Sequence, residues 1–79
     1  MNNLEKFNSI FAETFNVDSS QLNENFGIDT VANWDSVTQL SLVTAIEDEF
    51  NIMLDTDDIL DFKSYLIAKE ILKKYQIEL

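Results

Sequence analysis

The 79-residue chain has no cysteine, no histidine and no proline, and its single glycine is Gly27. Without cysteine there is no disulfide and no thiolate metal site, which fits a reducing compartment. Without histidine, the usual general base at neutral pH and the commonest metal ligand are both missing. A Ser-His-Asp triad is therefore excluded. Basic residues are scarce: 5 face 15 acids, for a net charge of −10. Nucleic acid and anionic membrane surfaces would repel such a chain. No apolar run approaches the roughly 18 residues that a membrane helix needs. The opening "MNNLEKFNSIF" lacks the basic stretch and unbroken apolar run of a signal peptide. The expectation is a soluble, cytoplasmic monomer that binds neither nucleic acid nor membrane.

What is present is enough for a core. Apolar residues make up 46% of the chain and six of them are Phe, which argues against a disordered acidic tail. The length suits one domain over residues 1–79. A domain of this size buries only about 60% of its unfolded surface. The charge is uneven. Residues 1–35 carry six acids and one base, residues 36–62 seven acids and no base, and residues 63–79 four Lys and two acids. The middle third is a candidate docking surface for a basic partner; the plainer reading is a solvated face.

Leu4, Phe7, Ile10, Phe11, Thr14 and Phe15 recur at helical steps and predict a first helix over about residues 3–15. Asn2 or Asn3 can cap its start, and Asn16 tolerates the left-handed conformation of a helix end. Residues 16–35 are polar with scattered anchors (Val17, Leu22, Phe26, Ile28, Val31, Trp34) and read as a long loop pinned to the core. Val37, Leu40, Val43, Ile46 and Phe50 mark a second helix, with Leu42 and Ala45 widening its apolar stripe. "DTDDILDF" offers a Thr56 cap and one or two turns. Tyr65, Ala68, Ile71, Leu72 and Tyr75 mark a last helix, capped by Ser64, with Lys69, Lys73 and Lys74 towards its C-terminal end, where the dipole favours cations. The predicted fold is all-α: a small bundle of three main helices and one short one, with a long loop between the first and second.

The stretch "NWDSVTQLSLVTAIEDEF" holds the candidate site. Ser36 can simply cap the second helix, because "SVTQ" matches a capping box with Gln39 three residues on; such a cap is worth about 1 kcal/mol. Asp35 can serve as the cap as well. Ser36 has no marked base to make it a nucleophile. It can still be modified by another enzyme, and the start of a helix suits a phosphoester because free N–H groups and the dipole favour an anion there.

The run "WDSVTQLSLVTAIEDEFNIMLDTDDI" resembles the acyl carrier proteins. In that family an Asp-Ser-Leu-like motif starts the second helix, an acidic run ending in Phe closes it, and an alternating apolar stretch leads to an acidic third helix. The corresponding residues are Asp35-Ser36-Val37, Glu47-Asp48-Glu49-Phe50, and Ile52 with Leu54 before Asp55, Asp57 and Asp58. "FNVDSSQLNENF" also looks like the family's end of the first helix and its loop. The resemblance implies an acyl-carrier-like bundle with 4′-phosphopantetheine joined to Ser36 by a phosphodiester, Asp35 being its motif neighbour. The arm's thiol would hold acyl groups as thioesters in fatty-acid, polysaccharide or secondary-metabolite biosynthesis. The carrier itself would catalyse nothing. Its partners would be a phosphopantetheinyl transferase and acyl-loading and acyl-accepting enzymes with basic docking surfaces. Glu47, Asp48, Asp57 and Asp58 are the docking candidates. An acyl chain could pack against Leu40, Ile46, Leu54, Ile59 and Leu60, although core packing is the plainer role for these.

Departures from the family pattern bear on the subtype. Val37 replaces the usual Leu, Asn16 stands where Gly is common, and Trp34 precedes the motif where a small residue is frequent. Thr38 and Ser41 occupy positions that are often acidic in the fatty-acid type. A Trp-Asp-Ser start looks more like specialised carriers of polysaccharide or secondary-metabolite clusters. Two alternatives stand beside the acyl carrier: an aminoacyl or peptidyl carrier, and an unmodified helical docking module. A calcium loop starting at Asp55 fails, because its sixth position is Leu60 rather than Gly and its twelfth Leu66 rather than Glu.

Overall fold

A computed structural model describes residues 2–79. Its elements run α1 (Asn3–Phe15), α2 (Ser36–Phe50), α3 (Thr56–Asp61) and α4 (Tyr65–Lys74), with a turn of 3-10 helix at Ser19–Gln21 in the long loop. No strand occurs among the described residues, so the bundle is all-α, three main helices plus one of six residues. It measures 29 × 28 × 19 Å.

The helix ends follow from local chemistry. Asn2 Oδ1 accepts the Glu5 amide at 2.8 Å, and the Ser64 hydroxyl accepts the Ile67 amide at 3.0 Å, each satisfying one of the free N–H groups of a first turn. With one glycine in the chain, the left-handed helix stops fall on Asn: Asn16 closes α1 at φ 56° and Asn51 closes α2 at φ 54°. Asp55 occupies the cap position of α3 without a side-chain bond, so Thr56 begins that helix rather than capping it.

Phe7, Phe11 and Phe15 line the buried face of α1. Phe11 is the hub of an aromatic cluster, with Phe7, Tyr65, Phe15, Trp34 and Phe26 at ring-centre distances of 4.9, 5.3, 6.0, 6.1 and 6.2 Å. The long loop supplies Phe26 and Trp34 to this cluster, and its Val17, Leu22 and Val31 pack half-buried against the hydrophobic core. Ile28, expected to be another anchor, is 45% exposed. The loop is tied across to the start of α4 instead: Ile28 N–H donates to Lys63 O and Tyr65 N–H to Phe26 O, both at 2.9 Å. Gly27 sits at this crossing because a Cβ there would lie 3.0 Å from Ser64 Cβ and 3.2 Å from Lys63 O. Burial raises the pKa of the Tyr65 hydroxyl, although its bond to Asn8 Oδ1 at 2.5 Å opposes the shift.

Helix α2 buries Leu42, Val43 and Ile46, with Gln39 and Phe50 half-buried on the same stripe. Val37 and Leu40 do not join them: they are 72% and 60% exposed. The expected stripe therefore needs correction. A series of three-residue steps drifts round a helix that turns about 100° per residue, so Val37 and Ile46 end on opposite sides. The true core stripe runs through Gln39, Leu42, Val43, Ile46 and Phe50.

Candidate functional site

Asp35, not Ser36, caps α2. Asp35 Oδ1 accepts the Thr38 amide at 2.8 Å, and Asp35 O accepts the Gln39 amide at 2.9 Å. The Thr38 amide, helped by the Thr38 hydroxyl, holds the Asp35 carboxyl below its ordinary pKa. Ser36 is the first helical residue, exposed, and its hydroxyl is left out of the cap. The capping box expected from "SVTQ" does not form, because the frame is shifted by one residue. Gln39 does not reach back to the helix start; its Nε2 donates to Ile59 O of α3 at 2.7 Å.

Beyond Ser36, the outer face of α2 is a shallow cleft of ≈ 540 Å³ lined by Val37, Leu40, Ser41, Thr44, Ala45 and Asp48. One charge, Asp48, lies at its far end. Thr38 is half-buried and Ser41 exposed, so the start of this face is neutral. Of the five residues named for contact with an acyl chain, Ile46 and Leu54 are buried in the core and Ile59 is half-buried, whereas Leu40 and Leu60 are 60% and 62% exposed.

The four docking candidates divide. Asp48 and Asp57 are exposed. Glu47 is half-buried and its Oε2 accepts the Leu54 amide at 2.9 Å, which joins the end of α2 to the segment before α3. Asp58 is buried, so its assignment to an outward docking face is corrected. Lys74 Nζ donates to its Oδ1 at 2.5 Å and the Tyr75 hydroxyl to its Oδ2 at 2.6 Å. These two bonds, Lys74 first, lower the Asp58 pKa despite desolvation, and they raise the pKa values of Lys74 and Tyr75. Tyr75 read as one more apolar member of the last helix; nothing in its spacing announces an acid partner. Gln39 did carry a signal, as a lone polar residue on the core stripe of α2.

No helix among the described residues is long and apolar enough to cross a membrane. Nor do three His, Cys, Asp or Glu side chains come together among them as a metal-binding group. No protein-family model matches the chain, and no curated protein matches it significantly.

Proposed function

We propose that this chain is an acyl carrier of the cytoplasm, bearing 4′-phosphopantetheine on Ser36. The observation that carries the reading is the division of labour at the start of α2. Asp35 takes the capping role, which leaves an exposed Ser36 hydroxyl at the first helical residue. A phosphodiester fits there. The amides of Ser36 and Val37 precede the first hydrogen-bonded turn, and nothing bulky covers the hydroxyl. When bound, the arm supplies a thiol that holds an acyl group as a thioester, chemistry that a chain without cysteine cannot provide.

The rest of α2 supports a carrier's need for successive partners. Val37 and Leu40 offer apolar contact beside Ser36, while Asp48 and Asp57 offer charge farther away. Partners with a basic rim would be steered by those outward acids. The neutral start of this face favours partners outside the fatty-acid type, such as those of polysaccharide or secondary-metabolite assembly.

Incubation with a phosphopantetheinyl transferase and coenzyme A, followed by intact mass, tests the proposal. The wild-type chain gains the mass of one arm and Ser36→Ala gains none. If the alanine variant is still modified, Ser36 is the wrong site. If the wild type stays unmodified, the chain is a docking module in which Ser36 merely opens a helix. An aminoacyl or peptidyl carrier would gain the arm equally, and loading of the holo form with acyl or aminoacyl groups separates the two.

A further inference from the structure

Helix α3 is held mainly by polar ties, with Ile59 as the one apolar side chain it packs against the core. The only side chain it buries is that of Asp58; Ile59 is half-buried and Leu60 lies largely in solvent. Four hydrogen bonds reach the segment Asp55–Asp61 from two directions. From α2, Gln39 Nε2 donates to Ile59 O at 2.7 Å. From the end of α4, Lys74 Nζ and the Tyr75 hydroxyl hold the two oxygens of Asp58, at 2.5 and 2.6 Å. The Tyr75 oxygen also accepts the Asp55 amide at 2.9 Å. The flanks are anchored separately. Leu54 is buried, with its amide on Glu47, and Phe62 is fully buried, followed by Lys63 O bonded to Ile28.

We propose that α3 is a latched flap. Residues Asp55–Asp61 release as a unit from α2 and from the end of α4 while Leu54, Phe62 and the aromatic core stay packed. A helix of six residues cannot sustain itself in isolation. Its release gives up few apolar contacts, which places it at the low end of local opening free energies. The ties are also mutually dependent. The single Tyr75 proton points to Asp58, and this leaves the Tyr75 oxygen free to accept the Asp55 amide. Losing the Asp58 carboxylate therefore frees both the tyrosine and the lysine, so the latch opens as one event. Gln39 stands one turn beyond Ser36, so whatever displaces its carboxamide removes one of the ties.

Native-state hydrogen exchange on the whole chain tests this, with or without any group on Ser36. In the wild type, the Asp55 and Ile59 amides exchange through an opening that low urea does not accelerate, while those of Phe11, Val43 and Ile46 follow global unfolding. Asp58→Asn accelerates exchange at Asp55 and Ile59, and Tyr75→Phe, which removes the acceptor of the Asp55 amide and is therefore read at Ile59, accelerates it there, each by about tenfold or more over any change at Phe11 and Val43. The proposal is overturned if Asp55 and Ile59 exchange only with the core in the wild type. It is also overturned if the variants accelerate α1 and α3 alike. Should Asp58→Asn fail to fold, the wild-type profile and the milder Tyr75→Phe decide.

Discussion

The aromatic end of the bundle and the α3 side are built on different physics. At the aromatic end, Phe7, Phe11, Phe15, Phe26, Trp34 and Tyr65 come from α1, the long loop and α4, and their rings interlock at centre distances from 4.8 to 6.2 Å. Such packing is non-local and redundant, since each ring has at least two partners. On the α3 side, a six-residue helix is tethered by four hydrogen bonds, and Val37, Leu40 and Leu60 are left in solvent nearby in sequence or across the Gln39 tie. One end invests in burial and defines the fold. The other leaves Val37 and Leu40, one and four residues beyond Ser36, largely in solvent, a surface that the proposed carrier role would use.

Deleting a ring is the harshest way to test the contrast. Phe11→Ala should cost about 3–5 kcal/mol in urea unfolding, because it removes a fully buried side chain and leaves a cavity. Domains of this kind have only about 5–15 kcal/mol in total, so the variant should lose a large share of its stability and unfold at a clearly lower urea concentration. A loss near 1 kcal/mol would mean the remaining rings collapse into the gap and the cluster is more pliable than its geometry suggests.

Trp34→Phe sharpens the same comparison. The indole Nε1 is buried without a hydrogen-bond partner. Replacement removes that unsatisfied donor while it reduces ring volume, and the two effects oppose each other. The net loss should stay below about 1.5 kcal/mol by denaturant unfolding. A larger loss would show that the indole volume outweighs its stranded N–H.

On the α3 side the expected effect is smaller and depends on pH. The Asp58 pKa is lowered in the folded state, so its contribution is present above the ordinary value of 3.8 and is lost as pH falls through the folded value. Thermal melts of wild type and Asp58→Asn should differ at pH 7, with the variant lower, and converge as pH drops below 3.8. Asp35 is shifted in the same direction, and the paired comparison cancels its part. A difference that persists undiminished at pH 2 would assign the loss to packing rather than to the carboxylate's bonds.

The smallest stability change is expected on the outer face of α2. Leu40→Ser should alter unfolding free energy by no more than about 0.5 kcal/mol, because the side chain is largely in solvent already. If the chain is the carrier proposed above, association with an acyl-loading enzyme should weaken in the same variant. Unaltered association would move the docking surface away from α2.

Local chemistry alone determined much of this molecule. The α1 stripe through Phe7, Phe11 and Phe15, the Asn2 and Ser64 caps and the Asn16 stop depend on residues no more than a few positions apart, so their spacing in the chain carries them. The conspicuous Asp35-Ser36 pair is of the same kind, although the backbone frame decides which of the two caps. Tertiary structure decided the rest. It set which face of α2 turns inward, since Val37 and Leu40 are as apolar as the residues that are buried. It joined Asp58 to Lys74 and Tyr75, 16 and 17 residues away. It set Gly27 against Ser64, and sent the Gln39 side chain to α3 rather than to its own helix end. These contacts close loops of a dozen or more residues, and which of several chemically equivalent partners is met depends on how all the helices pack together, which no local pattern encodes.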